Sequence, residues 1–157
     1  MNPIFEIIEP GNGNFEELYE YLKEIDHTHI PSISSRVNLE EWTMKLIKNA
    51  TLFIYRDNGK IVACVADYVN KAPNYTFGTH LSAKSQYSDF LLGPQLVTKS
   101  LKYAEAYGSA GKRGKIRASN KALLAFYIKL GFEVIAESVF PNSNVVELEI
   151  MKTFNLK

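Results

Sequence analysis

The stretch "GKIRASNKALLAFYIKLGFEVI", residues 114–135, carries the sequence signal that decides the fold. "GKIRAS" reads as a short strand. "NKALLAFYIKLG" reads as a helix, because Leu123, Phe126 and Leu130 recur on one side and Gly131 supplies a left-handed stop. "FEVIAESVF" then returns to a β pattern. On a wheel of about 100° per residue, Lys121 lies roughly opposite the apolar stripe and Tyr127 falls at its edge. Asn120, seven positions earlier, projects within about 20° of Tyr127, so the pair can line a groove where core meets solvent. The same residues also admit a plainer reading, with Asn120 as an N-cap and Tyr127 as a packing residue whose hydroxyl reaches water.

Working outward, "NVVELEIMK" is a last strand joined to "FEVIAESVF" through "PNSN". Upstream, "QLVTKSLKYAEAYG" is a helix with Val97, Leu101 and Ala104 on one face, ended by Gly108 and Gly111, and "KSQYSDFLLGP" before it reads as a loop. In "ATLFIYRDNGKIVACVADYV" the turn residues Asp57-Asn58-Gly59 separate two β-rich runs, which is a hairpin. "NKAPN" turns the chain into a further strand, "YTFGTHLSA". At the other end, residues 3–8 are β-prone. Asn14 can cap an amphipathic helix carrying Phe15, Leu18, Leu22 and Ile25, and Asn38 can cap a second with Leu39, Trp42 and Leu46. The order is strand, two helices, three strands, helix, strand, helix, two strands, which describes a mixed α/β sheet.

The chain has 157 residues, 46% of them apolar, enough for one domain over residues 1–157. Eighteen Lys and Arg against seventeen Asp and Glu leave +1. No field follows that would draw nucleic acid or an anionic membrane, so any phosphate binding must be local. The single cysteine, Cys64, excludes an internal disulfide and points to a reducing, cytoplasmic setting. No window is long and apolar enough for a membrane span, and no leader is expected at the N-terminus. Asp26, His27 and His29 in "DHTHIP" lack a further ligand, so no metal is expected.

Asn120, Tyr127, Gly131 and Phe132, in their strand-helix-strand frame, resemble a pattern of the GNAT superfamily of acyl-CoA-dependent N-acetyltransferases. That pattern is Asn-x-x-Ala-x-x-x-Tyr-x-x-x-Gly-Phe, and the chain departs from it at Leu123. The element order agrees over about residues 3–152. The resemblance implies a GNAT-like α/β fold: a central, mostly antiparallel sheet of about seven strands with helices on both faces. Its fourth and fifth strands, here "YTFGTHLSA" and "KIRAS", would splay to admit the pantetheine arm of acetyl-CoA.

The implied reaction moves acetyl from acetyl-CoA to a primary amine by direct attack in a ternary complex. Tyr127 would protonate the leaving thiolate and Asn120 would contact pantetheine, with Leu81, Ala83 and Phe126 also on the cofactor. His80, on the fourth strand, would be the base, and it reads equally as a strand histidine hydrogen-bonded without a role. His29, Ser34 and Arg36 would touch the acceptor. Acetyl transfer to an amine independently needs a neutral nucleophile, donors for a developing oxyanion and an acid near the sulfur, and a tyrosine with a pKa of about 10 can be that acid.

In the diphosphate loop the family usually carries Gln or Arg-x-x-Gly-x-Gly or Ala, whereas this chain has "SDFLLG". Ser88 replaces the Gln or Arg, Leu91 replaces the first glycine, and Gly93 matches. Leucine resists positive φ and Asp89 brings negative charge, yet Phe90, Leu91, Leu92 and Gly93 still offer amides and Pro94 suits a first helical turn. "RVNLEEWTMKLIKNATLFIY" resembles a bacterial subgroup acting in amino-sugar and surface-polysaccharide pathways. The expected acceptor is therefore a small-molecule amine, an amino sugar or sugar nucleotide. Two alternatives stand beside it: a non-catalytic GNAT-like binding or assembly module, and a protein or peptide N-acetyltransferase. A homodimer is compatible with any of these.

Overall fold

Asparagine caps and turn residues set where the elements begin and end. The computed structural model describes residues 2–155. In chain order the elements are β1 (Ile4–Ile8), α1 (Phe15–Ile25), α2 (Leu39–Asn49), β2 (Thr51–Asp57), β3 (Lys60–Tyr68), β4 (Thr76–Ala83), α3 (Leu92–Tyr107), β5 (Gly111–Arg117), α4 (Lys121–Lys129), β6 (Glu133–Val139) and β7 (Val146–Thr153). This is the order the sequence predicts. The sheet has seven strands in the order β1-β2-β3-β4-β5-β7-β6. Pairs β1-β2, β2-β3, β5-β7 and β6-β7 are antiparallel, and β4-β5 is parallel. The parallel ladder pairs Thr76 with Lys112, Phe77 with Arg113 and Gly78 with Gly114.

The chain divides into two compact units. One holds the residues up to Tyr68 together with His80–Ser100. Asn14 Oδ1 accepts from the Glu17 amide at 2.9 Å and Asn38 Oδ1 from the Glu41 amide at 2.9 Å, so both predicted caps form. Each contributes about 1 kcal/mol to its helix. Alternation along the hairpin divides its side chains between two faces. Leu52, Ile54, Cys64 and Ala66 join Leu18, Tyr21, Leu22 and Ile25 of α1 and Leu46 and Ile47 of α2 in one core. The opposite face carries Phe53 and Tyr55, and the Tyr55 hydroxyl donates to Gln95 Oε1 at 2.9 Å, placing the first half of α3 on that side. Asn58 and Gly59 take φ of 53° and 76°, the left-handed pair that a two-residue hairpin turn requires.

The other unit comprises Val69–Thr79 and the chain from Leu101 onward. Its core is built from Ile116, Tyr127, Phe132, Leu148, Ile150 and Phe154. Gly111, expected as a helix terminator, is instead the first residue of β5. A Cβ there would lie 2.1 Å from the Lys152 carbonyl oxygen and 2.6 Å from the Tyr75 ring, so the glycine is required by close backbone approach rather than by a stop. Gly108, with φ of 99°, ends α3 as predicted, and Gly131, with φ of 96°, follows α4. The segment read as a loop before α3 is also more regular than expected: Ser85–Phe90 is a 3-10 helix and α3 starts at Leu92.

Candidate active site

In the first unit, β4 buries His80 and Ser82, two positions apart and therefore on one face. His80 Nε2 and Ser82 Oγ are 2.7 Å apart, and Ser82 Oγ and the Tyr21 hydroxyl of α1 are 2.6 Å apart. The His29 ring stacks on His80 with centroids 5.3 Å apart and planes 22° apart, while Trp42 presents an edge contact at 5.4 Å. Burial, helped by the charges of His29 and Arg36, pulls the His80 pKa down to about 3. The imidazole is therefore neutral near pH 7. Burial likewise raises the Tyr21 phenol, with Cys64 adding to the rise and the Ser82 hydrogen bond opposing it.

Of the residues expected near the acceptor, His29 touches His80 and Arg36 is close enough to influence its charge. Ser34 has a different task. Its amide donates to Asp26 Oδ1 at 2.8 Å and its hydroxyl to Oδ2, which ties together the two short 3-10 helices Asp26–Thr28 and Ile33–Ser35 that flank His29. Burial opposes ionisation of Asp26, but these bonds hold its carboxyl below the ordinary value. The sequence reading missed Tyr21 and Ser82 and took Trp42 for packing alone. The spacing of Ser82 from His80 on a strand was the available signal; the contact with Tyr21 spans 61 positions and leaves no local trace.

The loop after β4 is built within the same unit. Leu91 adopts φ 52° and ψ 40°, the left-handed conformation a leucine was expected to resist, and its side chain is 63% exposed. The Gln95 amide donates to the Leu91 carbonyl at 3.2 Å, so α3 effectively opens at Leu91. The amides of Leu92 and Gly93 stand in the first turn, which has no intrahelical acceptors for them. Pro94 follows there without loss of a helical bond. The Gln95 side-chain amide donates to the Phe90 carbonyl at 2.8 Å and fixes the turn. A Cβ on Gly93 would meet Leu81 of β4 at 3.6 Å, which brings these two expected cofactor residues together. Ala83 is half-buried at the end of β4, and Ser88, Asp89 and Phe90 are exposed. Leu92 is buried. A short turn of amides at a helix start suits an anionic diphosphate.

In the second unit Asn120 caps α4, its Oδ1 accepting from the Leu123 amide at 3.2 Å. Tyr127 is the most deeply buried residue of α4, at 7% exposure, rather than an edge residue. Its ring meets Phe132 edge-on at 5.0 Å and Phe126 at 6.0 Å. Leu123, Phe126 and Leu130, expected as the packing stripe, are only half-buried. The helix is thus rotated so that the tyrosine points inward.

The profile of the Acetyltransferase (GNAT) family matches residues 15–132, three quarters of the chain. The chain belongs to the GNAT acetyltransferase family. Solved structures give this GNAT chain the same fold. The ribosomal-protein-S18-alanine N-acetyltransferase of Escherichia coli superposes with a TM-score of 0.76 at 16% identity, over 98% of this chain and 96% of that one. A GNAT-family acetyltransferase from Streptococcus pneumoniae superposes with a TM-score of 0.71 at 16% identity, over 96% and 99%. A candidate streptothricin acetyltransferase from Bacillus anthracis, in complex with acetyl coenzyme A, gives a TM-score of 0.57 at 20% identity, over 68% of this chain and 64% of that one. A comparison with curated proteins returned no match. Among the described residues of this GNAT chain no cluster of His, Cys, Asp and Glu could hold a metal ion, and no helix is long and apolar enough to cross a membrane.

Proposed function

We propose that the protein transfers acetyl from acetyl-CoA to the primary amine of a small molecule, an amino sugar or sugar nucleotide, by direct attack in a ternary complex. The observation that carries the reading is the left-handed turn at Leu91, which opens α3 and leaves the Leu92 and Gly93 amides without helical partners despite the lost glycine. Those amides fit the diphosphate of the cosubstrate, and Asp89 is exposed on the preceding 3-10 helix, where water screens its charge. Acetyl-CoA supplies the activated acyl group. Following the family pattern, Asn120 contacts the pantetheine arm and Tyr127 gives its proton to the departing sulfur. The rings of His29, His80 and Trp42 form an aromatic wall of the kind on which the apolar face of a sugar packs.

Calorimetric titration with acetyl-CoA tests the reading, and absence of binding at millimolar ligand overturns it. Turnover is then followed with glucosamine, spermidine and an alanine-terminated peptide, with glucosamine expected to be fastest. Changing Tyr127 to Phe should lower kcat by about 100-fold or more while leaving acetyl-CoA affinity within about twofold. Undiminished kcat in that variant removes Tyr127 from the acid role.

A further inference from the structure

The hydrogen bonds around His80 form one chain, from the Tyr21 hydroxyl through Ser82 Oγ to His80 Nε2. The Tyr21 phenol is 3% exposed, and among the described residues its hydroxyl has a single partner, Ser82 Oγ. Tyr21 is the more buried end of that chain, at 3% exposure against 7% for His80, which favours placing its hydrogen on Ser82, where it is answered. Ser82 Oγ has two partners, Tyr21 and His80 Nε2, and with that placement it accepts from the first. Its own hydrogen therefore goes to His80 Nε2, which must present a lone pair. With the ring neutral, the imidazole proton sits on Nδ1. Nδ1 makes no hydrogen bond to the protein among the described residues, yet it is not sealed from solvent. His80 itself is 7% exposed and held between the His29 face and the Trp42 edge. A nearly buried ring with one N–H left unanswered is a donor waiting for a ligand oxygen.

We infer that His80 acts through its Nδ1–H as a neutral hydrogen-bond donor to a hydroxyl or carbonyl oxygen of the bound acceptor, and that Tyr21 and Ser82 are positioning residues that fix this tautomer. The role in acetyl transfer rests on the function proposed above; the tautomer does not. The assignment replaces the general base expected from the sequence, because a ring whose Nε2 accepts from Ser82 and whose Nδ1 is already protonated has no lone pair to offer the amine. The ligand class it selects carries an oxygen near the amine, as sugars do and simple polyamines do not.

Two measurements test it. In protein labelled with 15N-histidine, long-range 1H–15N spectra at pH 7 should give His80 a pyrrole-like Nδ1 and a pyridine-like Nε2. Ser82→Ala should move the proton toward Nε2 with the thermal midpoint little changed. A wild-type Nε2–H pattern, or a Ser82→Ala spectrum matching wild type, overturns the assignment, and neither result depends on any substrate. In the second arm, with glucosamine as the acceptor, His80→Asn keeps an N–H close to the Nδ1 position and should hold kcat/KM within about tenfold of wild type, whereas His80→Ala should lose about 100-fold. Equal losses in the two variants sink the donor role. Absence of any acetyl transfer by the wild type would instead count against the proposed function, leaving the spectra to decide the tautomer.

Discussion

Leu91 holds a backbone conformation that costs a residue with a Cβ about 1–2 kcal/mol, and its largely exposed side chain recovers little of that by packing. Leu91→Gly should therefore stabilise the chain by up to about 1 kcal/mol, the glycine's greater freedom when unfolded offsetting the rest. A rise in the urea midpoint at constant slope is the expected result, and a fall would mean that the leucine side chain packs more than its exposure implies. His80 makes the second prediction at this scale. Its folded pKa, about 3, lies below the ordinary 6.5, so between those values the unfolded chain binds more protons. The stability it contributes is complete above pH 6.5 and is lost as pH falls toward 3. The groups facing it are the His29 ring, the Arg36 charge and the Ser82–Tyr21 hydroxyls, none of which offers an anion to a protonated ring. Comparing His80→Asn with wild type should show a flatter acid limb in the variant, below pH 6.5; identical curves would mean that the ring opens to water before it protonates.

At the scale of elements, the proposed function gives the residue that caps α4 two tasks. Asn120 caps the helix, and in the family pattern it also contacts the cosubstrate. Asn120→Ala should lose about 1 kcal/mol of stability together with acetyl-CoA affinity, whereas Asn120→Ser should keep the cap and lose affinity alone. If Asn120→Ser binds acetyl-CoA as wild type does, capping is the residue's whole role. The elements themselves were legible because their signals are local: the caps at Asn14, Asn38 and Asn120, the Asn58-Gly59 turn and the stops at Gly108 and Gly131 each act within a few residues. What escaped depends on distant partners. Gly111 is demanded by Lys152 and Tyr75 rather than by its own helix end. The inward turn of Tyr127 answers to Phe132 across the helix stop. The Tyr21–Ser82–His80 chain joins α1 to β4 and no periodicity announces it.

For the molecule as a whole, the neutral His80 bears on how the amine loses its proton. The chain carries a formal charge of +1, so no strong field draws an ammonium ion in or pushes one out. At the aromatic cluster the central imidazole does not take up a proton near neutrality, and in the arrangement inferred above neither nitrogen has a free lone pair. Under the proposed function the attacking amine then arrives neutral, which makes the acceptor's own ionisation the governing one. Initial kcat/KM for the acceptor should rise tenfold per pH unit below the amine's pKa and level off above it. The bend should shift when glucosamine is replaced by an acceptor of higher amine pKa such as spermidine, while Tyr127→Phe lowers the curve without moving its acid limb. A protein base would instead put the acid limb at one pH for every acceptor. A bend fixed between pH 6 and 7, roughly the range of an unperturbed histidine, across both amines would return the base role to a histidine of this cluster.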